Sequence, residues 1–495
     1  MLIDARELAD GTTVSADLCI VGAGAAGITI ARALRGTGLS IAVIESGGFD
    51  FEGDTQSLYS GRMVGIDTWA MDVMRLRYFG GTTNHWAGWC MPLLEEDFEE
   101  RDWIPNSGWP IGLDELRPYY ERAQRRVELG EFIYDSVEVA NAEGLPLVES
   151  SGRLETQLLQ FSPPTRFGSR YRQELVDDPD VDVYLYANVL NVALESSEDS
   201  LSHLDCATLS GVSFTVEADR YVLACGGLEN PRILLASNQQ LPEGVANGNG
   251  MVGRYFMEHP HYLNSAAWVL QGEPDLSFYR PRAASDILNA PRGRMMGLLG
   301  LSRSARAAEG LPHFTLSIGR FDAPEEDTGP IEPGDIHALV AQPGRLTPMA
   351  RLSIRAEQVP DPDSRVRLGS DTDDFGIPRI ELDWQITRDD DFAIRRGVEL
   401  VGAEIAAAGL GRIWTPTDDE GAIQWQAAPG GHHMGTTRMS ADPSEGVVDA
   451  NCRAHDVDNL YVAGSSVFTT GGSVNPTLTI VALAERLADH LAEIA

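Results

Sequence analysis

Lysine is missing from this 495-residue sequence: all 38 basic residues are arginine. Without a lysine amine the chain forms no Schiff base, holds no pyridoxal phosphate and builds no Walker-type phosphate loop. Positive charge is scarce altogether. The 74 acidic residues leave a formal charge of -36, which repels nucleic-acid phosphates and anionic lipid head groups, so neither is an expected partner. This acidity fits a salty habitat as well as a bias in nucleotide composition, and it says nothing about the reaction. Cysteine is sparse too. Cys19, Cys90, Cys206, Cys225 and Cys452 are odd in number, far apart and never arranged as CxxC or CxxCH, so no metal or c-type haem is indicated. Cys19 and Cys225 stand in apolar runs that read as strands, where a free cysteine acts as a small buried hydrophobe. No run approaches the roughly 18 apolar residues of a membrane span. The opening MLIDARELADG lacks the basic-then-apolar pattern of a signal peptide. The expectation is a cytoplasmic protein without membrane contact.

What is present reads as folded throughout, with 43% hydrophobic and 23% charged residues leaving little room for extended disorder. The length exceeds what one hydrophobic core supports, so two lobes built from discontinuous segments are expected. In DLCIVGAGAAGITIARAL an apolar run from Asp17 to Val21 enters a glycine turn and then a small-residue helix. Gly22, Gly24 and Gly27 form GxGxxG, and a second apolar run, Ile41 to Ile44, ends at Glu45 about 20 residues on, as the dinucleotide fingerprint requires. In that fingerprint Gly22 permits the tight turn, Gly24 lets the backbone approach a pyrophosphate, and Gly27 allows the helix to pack against the strand. The helix N-terminus faces the phosphate charge and Glu45 accepts hydrogen bonds from ribose hydroxyls.

Further along, RLRYFGGTTNHWAGW at 75–89 is too rich in glycine, threonine and aromatics to be a helix. GLDELRPYYERAQRRVEL reads as a surface helix with Asp114 near its start. The stretch 181–194 reads as strands, and in the next segment Tyr221 to Ala224 enters a second glycine turn, so the chain has returned to the nucleotide-binding lobe. Near the C-terminus Leu460 to Ala463 reads as a buried strand, and a helix begins after Asn475-Pro476, where proline costs no hydrogen bond and the free N–H groups face an anion.

These segments together resemble the glucose-methanol-choline (GMC) oxidoreductases. The motifs VGAGAAG with Glu45, FGGTTNHWAG, ACGGLENPRILLAS, VGRYFMEHP, and HHMGTTRM with NLYVAGSSVFTTGGSVNPTLT stand in that family's order and span nearly the whole chain. The resemblance implies an α/β fold of the p-hydroxybenzoate hydroxylase-like two-domain type. A Rossmann-like FAD-binding domain would come from residues 1–95, 181–260 and 430–495. An α+β substrate domain carrying an antiparallel sheet would come from 96–180 and 261–429. It also implies FAD as cofactor, held by Gly22, Gly24, Ala25, Ala26, Gly27, Glu45 and Ser46; by Gly80, Gly81, Thr82, Asn84, His85, Trp86 and Ala87; by Val189, Cys225 and Gly226; and by Gly464, Ser465, Asn475, Pro476 and Thr477. His85 stands where pyranose oxidases bond the flavin covalently, although some relatives keep that histidine without the bond. Ala87 replaces the hydroxyl residue that those oxidases carry after HW, which leaves a dehydrogenase or a slow oxidase open, with oxygen, a quinone or an artificial electron acceptor.

Within the family a C-terminal His-His or His-Asn pair faces the flavin, and register selects His432 and Asn475. The His-Asn version is similar to pyranose oxidases and glycoside 3-oxidases, so the expected substrate is a small sugar or glycoside, oxidised at ring carbon 2 or 3. Removing the hydroxyl proton requires a base, and an imidazole with an ordinary pKa of about 6.5 suits neutral pH. His432 is the expected base. Asn475 would hold the substrate oxygen with a neutral donor. His433 stands one register away, and His259, His261 and His455 read as structural. Trp86 and Trp89 read as flavin neighbours or as core, and Gln424 and Gln426 as candidates for the pocket. Three alternatives stay open: a GMC enzyme on a non-sugar alcohol, a non-redox flavin lyase, and a nicotinamide-dependent dehydrogenase.

Overall fold

The apolar run preceding the first glycine turn forms the strand Thr12–Val21, and its last residues are buried because sheet and helices cover both faces. In the computed structural model, which describes residues 1–66, 69–148, 150–290, 292–320, 349–415 and 427–495, this strand lies inside an eight-stranded sheet. It pairs in parallel with Ile41–Ile44 on one side and with Ser213–Leu223 on the other. Beyond Ile41–Ile44 come Val181–Leu185 and Leu2–Asp4, also parallel. Leu460–Val462 joins the end of Ser213–Leu223 in parallel, while Asn188–Leu194 and Leu201–Ala207 add an antiparallel ribbon. The sheet therefore draws on N-terminal, middle and C-terminal segments.

Close approach at the first turn explains two of its glycines. Gly22 has φ +99°, and a Cβ there would sit 2.8 Å from the carbonyl oxygen of Ala224. A Cβ on Gly27 would lie 1.9 Å from the carbonyl oxygen of Gly22, so only glycine lets the helix Ala25–Ala33 close onto the strand it follows. That helix packs on the C-terminal helix Thr477–Glu493, which in turn packs on Leu113–Arg126.

The second sheet is antiparallel, in the order Gly411–Trp414, His261–Leu270, Met349–Ala356, Phe314–Arg320, Arg294–Leu301, Leu154–Phe161, Trp89–Cys90. The helix Arg388–Ala407 packs against this sheet, and their core includes the fully buried Trp268, Phe314 and Leu352. Truncating Trp268 to alanine would cost about 3–5 kcal/mol. Arg101 from the loop before Leu113–Arg126 pins to Glu357 just past Met349–Ala356 by a buried bidentate pair, at 2.9 and 2.5 Å. A small third sheet joins Arg62–Met63, Pro378–Asp383 and Arg365–Thr372. The architecture is thus the expected α/β class, a Rossmann-like parallel sheet joined to an antiparallel one. The segment read as non-helical at 75–89 contains a single 3-10 turn, Gly81–Asn84. Among the described residues no helix is long and apolar enough to cross a membrane.

Candidate active site

Between the two sheets lies a cavity of about 820 Å³, walled by strand ends of the parallel sheet and by His261 and Arg355 of the antiparallel one. Its position at the carboxyl ends of Thr12–Val21, Ile41–Ile44 and Ser213–Leu223 is where open α/β sheets bind ligands. The N-termini of Ala25–Ala33 and Thr477–Glu493 both open on it through Gly24, Ala25, Ala26, Pro476 and Thr477. Gly22, Glu45, Ser46, Gly81, Thr82, His85, Trp86 and Ala87 line it as well, together with Val189, Cys225, Gly226, Gly464, Ser465, His432 and Asn475.

Three residues expected at the cofactor stand behind the wall instead. Gly27 faces the Gly22 carbonyl, Gly80 presses on the backbone of Gly168, and the Asn84 amide donates to the carbonyl of Phe79 at 3.0 Å. Gln424 and Gln426 lie outside the described residues. His433 is buried at the cavity wall, and the Nε2 of His455 lies 3.1 Å from the carbonyl oxygen of Ser440. Among the described residues no cluster of three or more His, Cys, Asp or Glu is arranged to hold a metal.

His432 and Asn475 meet although 43 residues separate them, with Asn475 Nδ2 2.9 Å from His432 Nε2. The other nitrogen of His432, Nδ1, lies 2.8 Å from Nδ1 of His259. His259 Nε2 in turn faces two carbonyl oxygens, of Gly471 at 3.1 Å and Gly472 at 2.9 Å. Carbonyls only accept, so this Nε2 carries a proton. Burial holds the His259 pKa down at about 4, which leaves its Nδ1 bare. The proton between the two Nδ1 atoms therefore belongs to His432. Burial, followed by the neighbouring His259, His261 and Arg355, holds the His432 pKa well below 6.5. The result is a neutral imidazole with its Nε2 lone pair turned to Asn475.

The loop carrying His432 is fixed by Glu258, whose Oε2 accepts the backbone N–H of His432 at 2.9 Å, of Gly430 at 3.1 Å and of His259 at 3.2 Å. Burial pushes this carboxyl up to about 7. His259, Glu258 and Arg355 were not legible as site residues, because their partners lie far off in sequence, His432 173 residues beyond His259 and 174 beyond Glu258, and Trp89 266 before Arg355. The dipeptide EH in MEHP was the available signal. At the other wall Glu45 accepts the N–H of Ala23 on Oε2 and of Gly47 on Oε1, each at 2.9 Å, with the Ser46 hydroxyl also on Oε1 at 3.4 Å, so Oε2 keeps a second lone pair for a ligand. Buried Arg77 and Arg232 share Glu229 at 3.1 and 2.8 Å, which holds that carboxyl down at about 2 against the cost of burial.

The fold and this cavity define an FAD-dependent oxidoreductase. Residues 17–341 match the FAD dependent oxidoreductase family and residues 360–484 match GMC oxidoreductase. The chain belongs to the GMC oxidoreductases, enzymes of CH–OH groups with FAD as cofactor. It is 25% identical to the fructose dehydrogenase large subunit of Gluconobacter japonicus, over 97% of this chain and 98% of that one. It is 33% identical to the C-glycoside 3-oxidase of Microbacterium trichothecenolyticum, over 38% of this chain and 37% of that one. Pyridoxine 4-oxidase from Mesorbium loti shares the fold, with a TM-score of 0.62 at 20% identity over 96% of this chain and 98% of that one. The residues present fit the cofactor. The cavity lies within the range of roughly 300–1,000 Å³ usual for such sites. A Cβ on Gly24 would meet no protein atom within 4 Å, so the open side of that glycine is ligand space.

Proposed function

We propose that the protein oxidises a secondary alcohol of a sugar or glycoside, at ring carbon 2 or 3, to the ketone. The observation that carries the reading is the pair of His432 Nε2 and Asn475 Nδ2, 2.9 Å apart on the cavity wall. The likeness to a fructose dehydrogenase and a C-glycoside 3-oxidase supports the sugar.

FAD, when bound, supplies the hydride acceptor. Gly22, Gly24, Ala25 and Ala26 would hold its pyrophosphate and Glu45 its ribose, and the positive N-terminus of Thr477–Glu493, which opens on the same cavity, would favour negative charge there. His432 Nε2 takes the hydroxyl proton, a role that typically contributes roughly 100- to 10,000-fold. The Asn475 N–H then stabilises the oxygen as it gains alkoxide character. Charge on His432 does not stand alone. Its Nδ1–H donates to His259, and polarisation passes on to the carbonyls of Gly471 and Gly472, which strengthens as the imidazolium forms.

The test is anaerobic addition of a sugar and glycoside panel to the yellow holoenzyme. The flavin absorbance should bleach and a ketosugar should appear, with turnover then read against both oxygen and a quinone. Absence of bleaching with every sugar and alcohol tried would remove this reading, and substrate cleavage at constant absorbance would assign a lyase.

A further inference from the structure

Arg355 lies on the strand Met349–Ala356 in register with His261 on the neighbouring strand, and both side chains line the cavity beside His432. Its guanidinium stands over Trp89, with Cζ 3.8 Å from the ring centroid. Nε and Nη1 are buried without a hydrogen-bond partner. Nothing acidic among the described residues offsets the charge: burial alone lowers this arginine, to about 10, and no carboxylate contributes. His261 Nε2, on the same wall, is also buried without a partner.

Several buried arginines among the described residues have a carboxylate, whereas buried Arg438 has instead the Asn106 carbonyl and the ring of Tyr255. Arg101 has Glu357, Arg77 has Glu229, and Arg232 has both Glu229 and Asp373. With 74 acidic residues against 38 arginines, acids are not in short supply. An unpaired charge in a partly desolvated wall is costly, so its retention points to a ligand that brings the opposite charge. A neutral hydroxyl satisfies an N–H but not the charge. A carboxylate satisfies both.

On the reading of the cavity as a sugar-oxidising site, we propose that Arg355, with His261 beside it, is a specificity-determining subsite for a carboxylate on the substrate. The substrate class is then a sugar acid, a uronic acid or its glycoside, with the carboxylate on Arg355 and a ring carbinol at His432 and Asn475. Trp89 serves as the platform that keeps the guanidinium aimed into the cavity.

The test compares D-glucuronate with D-glucose, and their methyl glycosides, on anaerobic holoenzyme of the natural protein and of Arg355→Met. Binding is read by calorimetry and oxidation by flavin bleaching. The natural protein should bind the carboxylate member roughly 10- to 100-fold more tightly, the size expected of hydrogen bonds to a charged group. Arg355→Met should lose that preference, the ratio of the two affinities falling toward one. Equal affinity for both sugars, or an equal loss on both, overturns the proposal. So does a variant whose flavin content or spectrum changes before sugar is added, because Arg355 then serves the cofactor. If glucuronate binds through Arg355 yet no sugar bleaches the flavin, the subsite stands and the oxidation reading falls.

Discussion

His259 and His432 face each other nitrogen to nitrogen, Nδ1 to Nδ1 at 2.8 Å, and this contact decides which nitrogen of His432 is free to accept a proton. Replacing His259 by leucine removes the acceptor that supports an imidazolium on His432. A hydrogen bond to a charged group is worth about 1.5–3 kcal/mol. His259→Leu should therefore lower kcat about tenfold or more and move the acid limb of the pH profile down by about one unit or more. His259→Gln keeps an acceptor and a donor on one amide and should restore part of both. An unchanged profile in the leucine variant would deny His259 this positioning role.

His432→Ala and Asn475→Ala should each retain flavin and lose roughly 100- to 10,000-fold and 100- to 1,000-fold in kcat, respectively. The two act on one oxygen, so the double variant should fall little below His432→Ala alone. Rapid-reaction bleaching rates and bound-flavin absorbance separate chemistry from cofactor loss. Persisting turnover in His432→Ala would end its assignment as base.

Much of the parallel sheet was legible because its signals are local. The run Ile41–Ile44 ending at Glu45, and the glycines from Gly22 to Gly27, lie within 24 residues of one another and carry their own geometry. The His432–Asn475 pair was legible only through family register, since nothing between the two residues encodes their 2.9 Å approach. Arg355 shows the opposite case. In MARLSIRA every second residue is buried and the arginines alternate with them, a pattern that reads as a solvent-facing row. Only the closure of the antiparallel sheet over the cavity turns that face inward. His259 stayed hidden for a related reason, because a histidine between Glu258 and Pro260 offers no spacing that names a partner 173 residues on.

His433 offers a test through stability. Burial holds its pKa at about 3, below the ordinary 6.5, so the folded state resists the proton that the unfolded chain takes up. The stability this neutral group supports is complete above pH 6.5 and is lost progressively as pH falls from there toward 3. Glutamine does not titrate. Relative to the natural protein, His433→Gln should gain about 1.4 kcal/mol for each pH unit below 6.5, whatever its offset at pH 7.5. Denaturant midpoints at pH 7.5, 6 and 5 read this difference, and parallel curves for the two proteins would show that His433 titrates alike folded and unfolded.

Two valine substitutions separate the glycines that serve the fold from the one that serves the cofactor. At Gly27 a side chain meets the Gly22 carbonyl, an obstacle made of backbone that cannot swing aside. Gly27→Val should therefore push the helix Ala25–Ala33 off its strand and destabilise the whole domain, with little soluble protein recovered. Gly24 has φ -88° and ψ -162°, extended angles that valine adopts freely, and open space on its cavity side. Losing glycine at this N-cap costs the helix about 1 kcal/mol. Gly24→Val should fold with a near-natural circular dichroism spectrum yet purify colourless, because its methyl groups fill the space where the pyrophosphate would lie against the helix N-terminus. A yellow Gly24→Val protein with full flavin content would show that the phosphates are held elsewhere, and that the resemblance of this turn to a dinucleotide cradle is one of backbone only.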